Sequence, residues 1–144
     1  MQILGVLMKE SVNESIGFHI ARTANRINQA ITTLLAEEGI APEQRILLEI
    51  LTSCEKATQT TLATMLNKSP TTVSRTLDSL EKKGLIVKKE VLGDKRANLI
   101  EVTPEGKAML ERTEAIVKAF RQKVSDVFTP EEKQTLFTLL EKLS

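Results

Sequence analysis

The stretch from Lys68 to Lys82 reads Lys-Ser-Pro-Thr-Thr-Val-Ser-Arg-Thr-Leu-Asp-Ser-Leu-Glu-Lys. It gathers hydroxyls around one guanidinium, Arg75. Advancing about 100° per residue from Val73 brings Leu77 and Leu80 close to it. Thr71, Arg75, Asp78 and Lys82 fall on the opposite side, with Thr72, Ser74 and Ser79 flanking. Such a face can exchange hydrogen bonds with base edges in a major groove. Ser and Thr donate or accept there, the Thr methyl suits thymine, and Arg pairs bidentately with guanine. Ser69-Pro70 is helix-start chemistry, a hydroxyl cap followed by proline at the first position. The free N–H groups it leaves at the helix start suit a phosphate. The blander reading is an amphipathic helix with a solvated polar face.

A second polar group follows at Gly93-Asp94-Lys95-Arg96. It lies between the β-prone runs Leu85–Val87 and Leu99–Val102 and reads as the projecting tip of a β-hairpin. There Lys95 and Arg96 can reach phosphates or a minor groove. Asp94 can orient Arg96 by a charge-assisted hydrogen bond. An exposed loop with a chance charge triplet is the plainer alternative.

The rest of the chain supplies elements that position these groups. Ile16, Ile20, Ala24, Ile27, Ile31 and Leu34 make a helical stripe within about Val12–Glu38, stopped by Gly39. Pro42 opens a second helix, marked by Ile46, Leu47, Ile50 and Leu51 and ending near Cys54. A short third helix covers about Gln59–Leu66. Asn67-Lys68-Ser69 breaks it, and the fourth runs from Ser69-Pro70 to Gly84. Thr103-Pro104-Glu105 and Thr129-Pro130-Glu131-Glu132 start the last two helices. Short helix, tight turn, polar-faced helix and hairpin describe a winged helix-turn-helix. The fold class is mainly α: six helices with a two-stranded hairpin wing. The apolar faces of the first, fifth and sixth helices exceed what the small winged lobe covers, which calls for a dimer.

Length and composition fit one globular domain, residues 1–144. Its winged lobe spans about 42–103, between dimerisation helices at about 12–38 and 104–144. The net charge of +1 hides a division. Residues 1–64 sum to −2, 65–103 to +3 and 104–144 to zero, so the excess positive charge falls on the proposed DNA-facing segment. The single Cys54 excludes an internal disulfide and any zinc site of paired thiolates. One histidine excludes a multi-histidine metal site, and no metal or other cofactor is expected. Without Trp or Tyr, a sheet that stacks bases on aromatics is not expected. No Gly-rich phosphate loop or nucleophile elbow is present, so the chain does not read as an enzyme. Ile3–Met8 is too short to span a bilayer and lacks the flanks of a secretory signal, so a cytoplasmic location is expected. These first residues read as a loose arm, or as one packing on a partner subunit. Cys54 reads as structural, at the end of an apolar stripe.

The chain resembles the MarR family of winged-helix transcription regulators from about Ser15 to Leu143. The motif residues are Leu62-Ala63, Leu66, Thr72-Val73-Ser74-Arg75, Leu80-Glu81 and Gly84-Leu85-Ile86. Asp94-Lys95-Arg96-Ala97 and Val102-Thr103-Pro104-Glu105-Gly106 add specificity. The resemblance implies a homodimer that binds a pseudo-palindromic duplex. Its fourth helix would lie in the major groove, and Arg96, oriented by Asp94, at the minor groove. It implies a repressor relieved by a small aromatic or anionic effector bound between dimerisation helices and lobe. Two positions depart from the pattern. Ala41 stands where members often have a capping Thr, and Arg45 where many have an aromatic. Arg45 is then a candidate for a phosphate, for an anionic ligand, or for plain solvent exposure. His19, beside the first stripe, is an interface or surface residue or an effector contact. The expected DNA contacts are Lys68, Ser69, Thr71, Thr72, Ser74, Arg75, Ser79, Lys95 and Arg96. A winged-helix module that binds protein and no DNA is the competing function.

Overall fold

The computed structural model describes residues 2–3, 6–7, 9–54, 56–91 and 93–144, and only the backbone at 2, 3, 6, 7, 91 and 94–98. The order is β1 (Gln2–Ile3), β2 (Val6–Leu7), α1 (Glu10–Asn13), α2 (Ile16–Leu35), a 3-10 turn (Ala36–Glu38), α3 (Pro42–Ser53), α4 (Gln59–Leu66), α5 (Pro70–Lys82), β3 (Ile86–Val91), β4 (Asp94–Val102), α6 (Pro104–Ser125) and α7 (Pro130–Glu141). All six expected helices form, and the single turn α1 precedes them. The first is shorter than its sequence pattern. Ser15 accepts from the Phe18 N–H and restarts the chain as α2, so Val12 belongs to α1. The pairing of β1 with β2 was not expected from the sequence. Among the described residues, no helix is long and apolar enough to cross a membrane.

Helix boundaries follow side-chain chemistry. Gly39 ends the 3-10 turn at φ 74 and Gly84 follows α5 at φ 76, both in the left-handed region that glycine enters without strain. Thr58, Ser69, Thr103 and Thr129 each accept from an N–H of the first turn they cap. Ala41 has no acceptor oxygen. Only the reciprocal half of a capping box forms at α3, where the Ala41 N–H donates to Gln44 Oε1 at 3.1 Å.

The core lies in the winged lobe. Leu47, Leu48 and Leu51 of α3, Leu62 and Ala63 of α4, and Val73, Leu77 and Leu80 of α5 are buried with Leu85, Ile86 and Ile100. α2 adds Ile31 and Leu35, and α6 adds Met109 and Val117. Burying each large aliphatic side chain contributes roughly 1.5–3 kcal/mol. Cys54 caps the end of α3 and packs against this core. Gly106, buried on α6, sits so close to the wing that a Cβ there would meet Leu85 O at 2.2 Å. Thr103 closes the same corner, donating to Gly84 O at 2.6 Å while its N–H reaches Leu85 O at 3.1 Å.

The wing differs from the sequence expectation. β3 and β4 pair antiparallel from Ile86↔Val102 to Glu90↔Asn98, then shift register so that Val91 faces Asp94. Lys95, Arg96 and Ala97 therefore form a bulge on β4 rather than the hairpin tip, where Gly93 has φ 84. A run of polar turn formers masked this, because a bulge uses the same residue types as a loop.

Candidate nucleic-acid interface

The approach to α5 is built by local chemistry. Asn67 ends α4 at φ 51, a left-handed conformation that Asn tolerates better than most residues. Lys68 and Ser69 follow, both exposed. Ser69 Oγ accepts from the Thr72 N–H at 3.2 Å and lies 2.9 Å from Thr72 Oγ1. Pro70 fixes the first turn. Gln59 Nε2 donates to Pro70 O at 3.3 Å and ties the start of α4 to the start of α5.

Val73, Leu77 and Leu80 are 0–1% exposed, so α5 is gripped along its whole inner face. Thr71, Thr72, Arg75, Asp78 and Lys82 are exposed, and Ser74 is half-buried. The structure thus brings Lys68, Ser69, Thr71, Thr72, Ser74 and Arg75 to one surface. Ser79 leaves the set expected from the sequence. Its Oγ accepts from Gln44 Nε2 of α3 at 2.8 Å, because its position on the boundary of the face turns it to the neighbouring helix. The side chains of Asp94, Lys95 and Arg96 lie outside the described residues.

Asp78 is the acidic group on this face, where it would repel a phosphate. Lys88 of β3 pairs with it at 2.6 Å, with Glu81 at 3.9 Å. Lys88 is 20% exposed and Asp78 62%, so the pair stands largely open to solvent and contributes little stability. It sets a cation beside the carboxylate and links wing to helix. No local spacing announces the pair, since residues 78 and 88 meet only after the chain turns at Gly84.

Arg45 lies elsewhere and is 2% exposed. Its Nε donates to Thr113 Oγ1 at 2.7 Å and its Nη2 to Leu110 O at 3.2 Å and Glu114 Oε2 at 3.0 Å. Its Nη1 donates to Glu49, one turn along α3. Arg121 of α6 reaches the same Glu49 at 3.0 Å. The expected solvent-exposed or phosphate-seeking Arg45 is therefore corrected to a buried tie between α3 and α6. The matching acids stand on α6, far along the chain, so spacing could not reveal them. His19 is not brought near it. Exposed on α2, it holds Asn13 O at 2.5 Å with Nε2 and meets Phe18 edge-on. Arg45 also lines a cleft of about 260 Å³ between α2, α3 and α6, together with Ile27, Ile31, Leu35, Val117, Phe120 and Arg121.

Residues 40–97, the heart of this lobe, match the sequence profile of the MarR family. The matched segment makes up 58 of the 144 residues and is similar to that family's DNA-binding core. MarR-family proteins are transcription regulators rather than enzymes. The chain is 28% identical over 141 residues to a regulatory protein assigned to the hcr operon of Thauera aromatica, covering 97% of this chain and 85% of that one. It superposes with a TM-score of 0.83 on a cysteine-to-serine mutant of E. coli MarR complexed with operator DNA, at 25% identity over 94% of this chain and 99% of the other. The apo form of wild-type E. coli MarR gives 0.69 at 24% identity, over 90% and 96%. Within this winged-helix fold, α4 and α5 are the helix-turn-helix and β3–β4 the wing.

Proposed function

We propose that the chain binds a pseudo-palindromic DNA duplex as a homodimer and acts in the cytoplasm as a repressor relieved by a small effector. The observation that carries DNA binding is the exposed face of α5. Hydroxyls and Arg75 stand outward on a helix whose inner residues are wholly buried, so their positions are fixed before DNA arrives. Among the described residues Arg75 has no hydrogen bond or ion pair, and its fork is available to a guanine. Thr71, Thr72, Ser74, Ser69 and Lys68 supply further base and phosphate contacts, and Lys95 and Arg96 extend the footprint from the wing, with Asp94 orienting Arg96.

The homodimer rests on apolar surface that one chain leaves open. Ile16, Ile20, Ile27 and Leu34 of α2 are exposed, as are Phe137, Leu139 and Leu140 of α7. In this reading residues 42–103 are the DNA-binding lobe and the helices on either side join the protomers. The effector reading rests on the cleft beside α2 and α6, whose aliphatic lining and single Phe120 suit a small apolar ligand with an anionic end toward Arg121.

Selection from a pool of random duplexes tests the function. The expected product is an inverted repeat with half-site centres about 10 base pairs apart. Recovery of no enriched sequence would sink it. A rise in melting temperature with a phenolic or aliphatic acid tests the effector, since a ligand that prefers the folded protein stabilises it.

A further inference from the structure

Gln44 and Arg45 are neighbours on α3, yet they bond in different directions. Gln44 Nε2 donates to Ser79 Oγ of α5 at 2.8 Å, and Gln44 Oε1 accepts from Lys83 Nζ, just past α5, at 2.8 Å. Arg45 turns to α6, to Thr113, Glu114 and the Leu110 carbonyl. Thr113 Oγ1 is itself oriented by donating to Met109 O at 2.7 Å, which leaves its lone pairs for Arg45 Nε. We infer that this back-to-back pair is a positioning device: Arg45 fixes α3, and through Gln44 the recognition helix α5, at one orientation on α6. The inference rests on the dimeric reading above, in which α6 runs from the lobe toward the partner.

Aliphatic contacts between helices are individually weak and lack direction, so the apolar part of the α3–α6 contact tolerates small slides. Charge-assisted bonds from a planar guanidinium tolerate little. Arginine cannot discharge itself by losing a proton, so a slide of α3 would leave a buried charge partly unpaired. Four described partners and 2% exposure make Arg45 far more constrained than a surface bridge. Arg121 holds Glu49 from the other side and keeps that acceptor in place. A rotation of the lobe about α6 would move both copies of α5 and alter the distance between them. A buried ion pair is weak grounds for stability, since replacing all its members by apolar side chains is often neutral, whereas removing one member leaves the others unpaired. Its use here is to select one geometry.

The test is a spin–spin distance in the full-length dimer. A nitroxide is placed by Lys82→Cys, at the exposed end of α5, in a Cys54→Ser background. The parent should give a single narrow distance distribution between protomers. Arg45→Met should broaden it by about twofold or more as added orientations become populated. Arg45→Lys should restore the width only in part, because an ammonium lacks the planar fork. Arg121→Gln, at a side chain 56% exposed and so safe for folding, should broaden it less and in the same sense. Should Arg45→Met fail to fold, the width in Arg121→Gln decides. Parent-like widths in the folded variants would overturn the inference. A parent that sediments as a monomer and shows no interprotomer distance would overturn the dimeric reading instead.

Discussion

α5 and α2 carry apolar stripes of similar helical spacing, with opposite fates. Val73, Leu77 and Leu80 of α5 are 0–1% exposed, covered by α3, α4 and the wing. In α2, Ile16 is 66% exposed and Leu34 49%, and only Ile31 and Leu35 reach the core. α7 has no buried residue at all. A periodic stripe therefore says that a helix has an inner face and leaves open which chain supplies the cover. The lobe is complete within one chain, while the terminal helices present surface suited to a second. The polar halves differ too. On α5 the outer face keeps an arginine without a partner among the described residues, whereas the arginine of α3 is consumed inside the fold.

The contrast can be broken by substitution, beginning where the effect should be largest. Leu77→Ala removes a wholly buried side chain and should cost about 2–5 kcal/mol of folding stability, read by urea denaturation. A loss below half a kcal/mol would mean the lobe is not the packed half. Phe137→Asp, on the exposed face of α7, should leave the lobe folded and weaken self-association by about 2 kcal/mol or more, seen in sedimentation. A dimer of unchanged affinity would detach α7 from the interface. Arg75→Ala should weaken binding to a selected duplex by ~1–3 kcal/mol and relax preference at one base pair. An equal loss on every sequence would assign Arg75 to phosphate contact. The smallest effect belongs to Arg96→Ala, which should lower affinity by under about tenfold and shallow the salt slope by roughly one, with the dimer intact. Unchanged affinity at matched salt would remove the wing from the interface.

Much of the lobe was legible because its signals are local. Ser69-Pro70, Thr103-Pro104 and Thr129-Pro130 announce helix starts within four residues, and all three cap as expected. The two faces of α5 follow from one period. What escaped depends on partners distant in sequence. Arg45 looked available because Thr113 and Glu114 are more than sixty residues away, and its burial became visible only with α6 in place. Ser79 sits on the border of the polar face, where 100° arithmetic cannot say which neighbour claims a hydroxyl. The Asp78–Lys88 pair needs the wing folded back along α5. The bulge at Lys95–Ala97 turns on strand register, which a run of charged residues does not specify.

The central claim is that the lobe surface bearing Arg75 binds duplex DNA electrostatically and by base contact. Its most direct test is fluorescence-anisotropy titration of the selected duplex and a scrambled duplex at two salt concentrations. Binding should be tighter to the selected sequence, and affinity for both duplexes should fall steeply with salt, because binding releases counterions. A flat salt response with no preference between duplexes would contradict it and favour a winged helix that binds protein.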